Sequence, residues 1–456
     1  MSLTSRIPAG KPAAGSLAIQ WVFPRTKVTV IDARAVLGRS KSCTVVLRGQ
    51  EVSRRHALVT PDGDALALED LGSRNGSCVS GRRVARARLG LGAVLRLGDW
   101  VGLVRRAADL MPDEIEFDEL GPGLFGSGCL RRAVRALEAV ATGDGPVVLE
   151  GETGTGKKLA ARALHRWSAR PGRFIVMNCA AVPDSLVESE LFGGPYDESS
   201  DTTRQRAGRL RAAHRGTLML ENVACLSLET QARLAESLRR GQVCQSGSST
   251  RPPVHARVVV ASHESLDAAA AEGRLHSGLR TFLGEARVLI PPLRARIEDV
   301  PALFLRFVRE LSLGDGPDVD PRMIEQLSLY DWPYNVQELR TLAQGLLSIY
   351  GHRSALTRSI LPARIVEHVG PAAGRPSLHK VASPHRPSLE SGTLPIDRDL
   401  QASERELTLL VDALRFCHGD LARACSIVGI SHTDGKRLLD QATVLTAKPA
   451  KGNPRA

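Results

Sequence analysis

The sequence predicts a multidomain protein: an all-β sandwich, a parallel α/β domain with a helical lid, and a small all-α module. Three observations predict it. From Val28 to about Arg105 the chain consists of short β-type runs separated by Gly, Ser, Asn and Asp turns. Beyond the acidic stretch at residues 106–120, helical patterns alternate with buried-strand runs such as Pro146-Val147-Val148-Leu149-Glu150 and Val258-Val259-Val260-Ala261. A Pro/Ser-rich segment then isolates a last helical stretch. The 456 residues agree with this division, since domains average roughly 150 residues. No internal repeat of solenoid period occurs.

Composition excludes other classes. With 43% hydrophobic and 24% charged residues, neither wholesale disorder nor a collagen-like repeat is expected. The net charge of +12 admits nucleic acid or phosphorylated partners without identifying either. Almost all of it is arginine: there are nine lysines, and between Lys41 and Lys380 only Lys157 and Lys158 occur. No apolar run reaches the roughly eighteen residues of a membrane helix, and no signal-peptide pattern opens the chain, so a cytoplasmic protein without membrane association is expected. The eight cysteines form no C-x-x-C pair, which argues against zinc or disulfides and predicts buried free thiols and no metal centre.

In the β-rich part, Gly38-Arg39, Ser53-Arg54-Arg55-His56 and Leu71-Gly72-Ser73-Arg74-Asn75-Gly76 fall in turns, where separate loops can converge on one ligand. Arginine offers planar, charge-assisted donors to phosphate, and serine hydroxyls and an asparagine amide add shorter hydrogen bonds. Together the three motifs resemble a forkhead-associated (FHA) domain over residues 18–106. The resemblance implies that Arg39, Ser53, Arg54, Ser73 and Asn75 bind a phosphothreonine peptide and that His56 is architectural. Ser80 stands where that family often has Asn before Gly.

Gly151-Glu152-Thr153-Gly154-Thr155-Gly156-Lys157 follows a buried strand and precedes a helix, the context in which backbone N–H groups and a helix N-terminus face phosphates. Lys157 lies within the long lysine-free interval. The next residue is Lys158, not Ser or Thr, so it cannot ligate magnesium. Further on, Asn178-Cys179-Ala180-Ala181, Glu188-Ser189-Glu190-Leu191-Phe192-Gly193, Gly216-Thr217-Leu218-Met219-Leu220, Pro291-Pro292-Leu293-Arg294 and Trp332-Pro333-Tyr334-Asn335-Val336 closely resemble the AAA+ domain of sigma-54-dependent transcriptional activators. That resemblance implies an α/β subdomain at 123–296, a helical lid at 297–368 and ATP as cofactor, with Mg2+ beside it in the family. It also implies ring assembly and remodelling of sigma-54 RNA polymerase.

The chain departs from the family at several points. Glu221 and Asn222 stand where the strand is normally followed by Asp-Glu, and an amide cannot take a proton from water. Lys158 replaces the Glu after the loop lysine. Asp197 to Thr202 reads Asp-Glu-Ser-Ser-Asp-Thr in place of the GAFTGA loop that touches sigma-54. His276 and Phe282 fall at the trans-acting arginine positions, with Arg280 nearby. Gln337 and His263 occupy the two sensor positions. These losses predict a domain that binds nucleotide but hydrolyses it slowly or never.

After a linker at 369–398, residues 399–445 read as helix, glycine turn and a third helix capped by Ser431. They resemble the Fis-type helix-turn-helix that ends such activators, which implies DNA contacts from His432, Thr433, Lys436 and Arg437. A small dimerisation bundle is the competing reading, since the module from Asp399 onward is nearly neutral and carries Gly435 and Asp434.

The expected function is that of a sigma-54-type regulator that reads a phosphothreonine protein, binds ATP and DNA, and assembles as a dimer or ring. Contact with sigma-54 is the least supported element. A non-enzymatic phosphothreonine-dependent scaffold, or a modulator of another activator, is the alternative. A third reading, an active ATPase, needs Glu221 as base and Arg280 as finger.

Overall fold

The computed structural model describes residues 15–110, 115–193, 208–243, 252–312 and 316–367, together with Leu421, Cys425, Lys436 and Arg437. The acidic loop expected at 197–202, the linker and most of the terminal module lie outside the described residues.

The N-terminal part is a β-sandwich of eleven strands. They are β1 (Leu17–Phe23), β2 (Lys27–Ile31), β3 (Ala35–Gly38), β4 (Val45–Val46), β5 (Ala57–Asp62), β6 (Ala65–Asp70), β7 (Ser77–Val79), β8 (Arg82–Val84), β9 (Arg86–Leu89), β10 (Val94–Leu97) and β11 (Trp100–Arg106). One sheet has the order β2-β1-β11-β10-β7-β8 and the other β4-β3-β5-β6-β9. Alternating residues such as Ile19, Trp21, Leu37, Val59, Leu66 and Leu95 fill the space between them. Trp21 and Trp100 meet edge to face with ring centroids 5.7 Å apart, and each indole N–H finds an acceptor, Thr29 Oγ1 and the Arg48 carbonyl.

The α/β part opens with a hairpin, β12 (Asp118–Gly121) and β13 (Leu124–Gly126), where the sequence suggested only an irregular acidic stretch. Asp118 and Glu119 of that stretch are exposed on β12, while Leu124 is buried in the core beside α1 (Gly128–Ala139). There follow β14 (Val147–Glu150), α2 (Lys157–Trp167), β15 (Phe174–Asn178), α3 (Asp184–Phe192), α4 (Arg209–Ala212), β16 (Thr217–Glu221), α5 (Leu228–Arg240), β17 (Arg257–Ser262), α6 (Leu266–Ala271), α7 (Ser277–Leu283) and β18 (Arg287–Leu289). The sheet order is β15-β16-β17-β14-β18 and every pairing is parallel, so the strands are apolar on both faces. This topology brings the C-terminal ends of β14, β15, β16 and β17 together, where α/β sheets bind ligands. Helix α5 shows why such elements start and stop where they do: Ser227 accepts from the Thr230 N–H at 3.2 Å, and Gly241 closes the helix in the left-handed conformation.

The lid comprises α8 (Asp299–Leu311), β19 (Asp318–Val319), α9 (Pro321–Leu329), α10 (Asn335–Tyr350), β20 (Ala355–Leu356) and α11 (Ala363–Val366). It is not helical throughout, as the sequence pattern suggested, because β19 and β20 form a short parallel pair. The lid belongs with the sandwich in one compact unit, except for Pro333–Val336, which belongs with the α/β part. Strands β1, β10 and β11 are buried on both faces, since α8 packs on β1 and α9 on β10 and β11. At this contact Arg96 and Glu325 form a buried ion pair at 2.6 Å, with side chains 8% and 6% exposed. Glu325 also accepts from the Gly81 N–H at 3.1 Å, and Arg105 pairs with Glu298.

Candidate functional site

The loop motifs singled out in the sequence form two separate clusters, one in the sandwich and one in the α/β part. In the sandwich, three loops are tied by their own backbones: the Arg39 N–H donates to the Ser53 carbonyl at 3.0 Å and the Ser40 N–H to the Arg54 carbonyl at 3.1 Å. Gly38 permits that approach, because a Cβ there would run into the Arg54 carbonyl. His56 is fully buried and pins the arrangement from below. Its Nδ1 accepts from the Ser53 N–H at 3.1 Å, so its Nε2–H donates to the Gly76 carbonyl at 3.3 Å. Burial holds its pKa below the ordinary imidazole value and keeps this tautomer neutral. His56 is thus architectural in geometry, as the resemblance implies.

Around this frame the five expected ligand residues differ in what they can offer. Arg39 and Arg54 are exposed, and their guanidiniums have no partner among the described residues. Ser53 accepts from the Arg74 N–H at 3.0 Å and keeps its hydroxyl proton to donate. Asn75 gives one amide N–H to the Glu51 carbonyl at 2.9 Å, which fixes the side chain at the loop. Ser73 is buried and its hydroxyl donates to Asp70 at 2.6 Å, as does Ser77. Ser73 therefore shapes the loop instead of offering its proton to a ligand. Burial acts to raise the Asp70 pKa, but these hydroxyl bonds outweigh it and hold the carboxyl below its usual range.

In the α/β part, Gly151 to Gly156 wrap the N-terminus of α2. Gly151, Gly154 and Gly156 have φ of 148°, 78° and 108°, and a Cβ on Gly151 would lie 2.6 Å from the Ile290 carbonyl. Lys157 donates from Nζ to the carbonyls of Gly151 and Glu152 at 2.6 and 2.9 Å. Burial lowers its pKa to about 8, against the opposing pull of Glu221 and Glu152. Thr155 is buried and bonds the Glu152 carbonyl at 2.8 Å, while Thr153 and Lys158 are exposed. The loop is braced in a way the sequence left unassigned. Arg294 forms a two-pronged ion pair with the Glu152 carboxylate, the main reason that carboxyl titrates low. Asn335 donates to Glu152 Oε2 at 3.2 Å and to the Thr153 carbonyl at 2.9 Å, and it accepts from the Leu293 N–H. Arg294 and Asn335 stand inside quoted motifs, but no spacing rule connects either with residue 152.

Beyond β16, Asn222 is in the left-handed conformation with φ 57°. Its amide nitrogen donates to Asn178 Oδ1 at 3.2 Å, so its oxygen is the acceptor for His263 Nδ1–H at 3.0 Å. Asn222 and His263, both singled out in the sequence, are thus each other's partner. Glu221 is half-buried at the end of β16 and acts electrostatically on Lys157. His276 caps α7, accepting from the Gly278 N–H at 3.1 Å, and Arg280 pairs with Asp267 at 2.9 Å. Gln337 is exposed. At the C-terminus, Lys436 and Arg437 are helical and exposed, whereas His432 and Thr433 lie outside the described residues.

A glycine loop between an inner strand of a parallel sheet and its helix, a lid and an FHA-like β-sandwich define the class as an FHA-containing AAA+ protein. The sigma-54 interaction domain model matches residues 124–288, the FHA domain model residues 35–98 and the AAA+ ATPase lid domain model residues 294–375. The chain is 32% identical over 367 residues to the DNA-binding transcriptional regulator NtrC of Azospirillum brasilense, covering 75% of this chain and 76% of that protein. It is 39% identical over 202 residues to the probable regulatory protein HrpS of Pseudomonas syringae pv. syringae, 43% of this chain and 67% of the relative. The crystal structure of NtrX from Brucella abortus superposes with a TM-score of 0.50 at 26% identity, covering 70% of this chain and 69% of the other. The chain belongs to the sigma-54-dependent transcriptional regulators of the NtrC type and combines their AAA+ domain with an FHA domain.

Proposed function

We propose that this regulator reads a phosphothreonine protein through its FHA loops and binds ATP at Gly151–Lys157, with hydrolysis largely lost. The observation that carries the reading is Asn222. Where a carboxylate would orient the attacking water, there is an amide whose hydrogen bonds go to Asn178 and His263. The loop itself fits nucleotide phosphates: its glycines leave the backbone open to close approach, Lys157 supplies charge, and Arg294 and Asn335 hold Glu152 aside. Mg2+ would find Glu221 but no hydroxyl at Lys158. An active ATPase with Arg280 as finger would require that guanidinium to exchange its exposed ion pair with Asp267 for a nucleotide phosphate.

In this reading the C-terminal module holds DNA through His432, Thr433, Lys436 and Arg437, and the protein acts as a homo-oligomer. Direct remodelling of sigma-54 polymerase is the weakest part, given the acidic text from Asp197 to Thr202. That same text favours the second reading, a phosphothreonine-dependent scaffold or modulator of another activator. Binding of phosphothreonine peptides and of ATP to the full chain tests the two sites separately. Arg39→Ala should abolish the first and spare the second, and Lys157→Ala the reverse; indifference of binding to threonine phosphorylation would sink the reader. DNA retention with and without residues 400–456, over a salt series, tests the terminal module.

A further inference from the structure

The FHA loops carry more positive charge than one phosphate requires. Between β3 and β4, β4 and β5, and β6 and β7 stand Arg39, Lys41, Arg48, Arg54, Arg55 and Arg74, against Glu51 within the loops and Asp99 from the β10–β11 turn, which accepts from the Glu51 N–H at 3.1 Å. All six cations are exposed, and none has an ion pair or side-chain hydrogen bond among the described residues. The loops that bear them are in direct contact, through Arg39 to Ser53, Ser40 to Arg54 and Arg74 to Ser53. Arg83 extends the patch: its guanidinium lies against Gly76, where an added Cβ would strike it. Elsewhere on the sandwich, Arg86 is neutralised by Glu69 and Arg88 by Asp62 and Asp64, whereas Arg25, Arg34, Arg82 and Arg106 are exposed outside these three loops. Asp70, next to the loops, is turned inward onto Ser73 and Ser77.

Like charges crowded within a Debye length of about 8 Å repel one another and favour an anionic partner. A dianionic phosphate engages two guanidiniums, which leaves several without a counter-charge. We propose that these loops select a phosphothreonine flanked by Asp and Glu residues, with Arg39 and Arg54 on the phosphate and Arg55, Arg74 and Arg83 on the acidic flank. The inference rests on the phosphothreonine reading above and narrows the partner to an acidic phosphopeptide.

The test uses the full chain and short alanine-based peptides with a central phosphothreonine and acidic, neutral or basic flanks, each with an unphosphorylated control. Acidic flanks should bind about tenfold tighter than neutral ones, as several exposed charge pairs of modest individual worth add up. The advantage should shrink as salt rises from about 0.05 to about 0.5 M. Arg55→Glu with Arg74→Glu should turn the preference toward basic flanks while binding still requires the phosphate; Arg55→Gln with Arg74→Gln should merely erase it. Equal affinity for acidic and neutral flanks, with phosphate dependence intact, overturns the flank inference alone. Binding indifferent to the phosphate overturns the reading beneath it. Displacement of every peptide by duplex DNA at matched phosphate concentration, with no flank preference at any salt, contradicts the inference in favour of nucleic acid.

Discussion

Lys157 is where nucleotide binding becomes a question of protonation. Its ammonium is held near pKa 8, below the ordinary 10.5, because burial disfavours the charged form. A phosphate needs that charge, so ATP affinity should weaken as pH rises through about 8, and Lys157→Arg should flatten the profile, as a fluorescent-nucleotide titration would show. Stability runs the other way. Between about 8 and 10.5 the unfolded chain binds more protons at this site than the folded one, so its contribution to folding improves with pH across that window. In the FHA loops, Gly38→Ala should cost about 1–3 kcal/mol in denaturant titration and weaken phosphopeptide binding with it, since the new methyl collides with the Arg54 carbonyl. The loop residues were legible in the sequence because their spacing is fixed by the turns that carry them. The pairing of Asn222 with His263 was not, for it joins residues 41 apart in sequence across the ends of two neighbouring strands.

At the scale of elements, β14, the glycine loop and α2 could be read directly, as a buried apolar run, glycines and a helical period follow one another in a short span. The outer face of β1, β10 and β11 could not. Arg96 in β10 and Glu325 in α9 look like solvent-facing residues of their elements, and only the packing of the lid on the sandwich turns them into a buried pair. Their interaction yields a sharp test. Glu325→Ala leaves Arg96 buried without its partner and should cost about 3–5 kcal/mol, whereas Arg96→Met with Glu325→Leu should recover most of the loss in the same urea titration. The hairpin β12–β13 escaped the sequence pattern for a related reason: the acidic stretch before it obscures the short apolar signal of Leu124.

Across the whole molecule, the FHA, sigma-54 interaction and AAA+ lid domains are all present. The glycine loop is braced by Arg294 and Asn335, and the catalytic-motif positions singled out in the sequence hold side chains with partners: Asn222 with His263, His276 as a cap, Arg280 on Asp267. In the proposed reading these contacts supply neither a base nor a finger. Loss of a transition-state arginine alone costs about a thousandfold or more in rate. The most direct measurement is therefore ATP binding and ATP turnover on the same preparation of the full chain. The account predicts saturable binding that Lys157→Ala removes, with turnover no higher than in that variant; sustained hydrolysis that disappears with Lys157→Ala would contradict it.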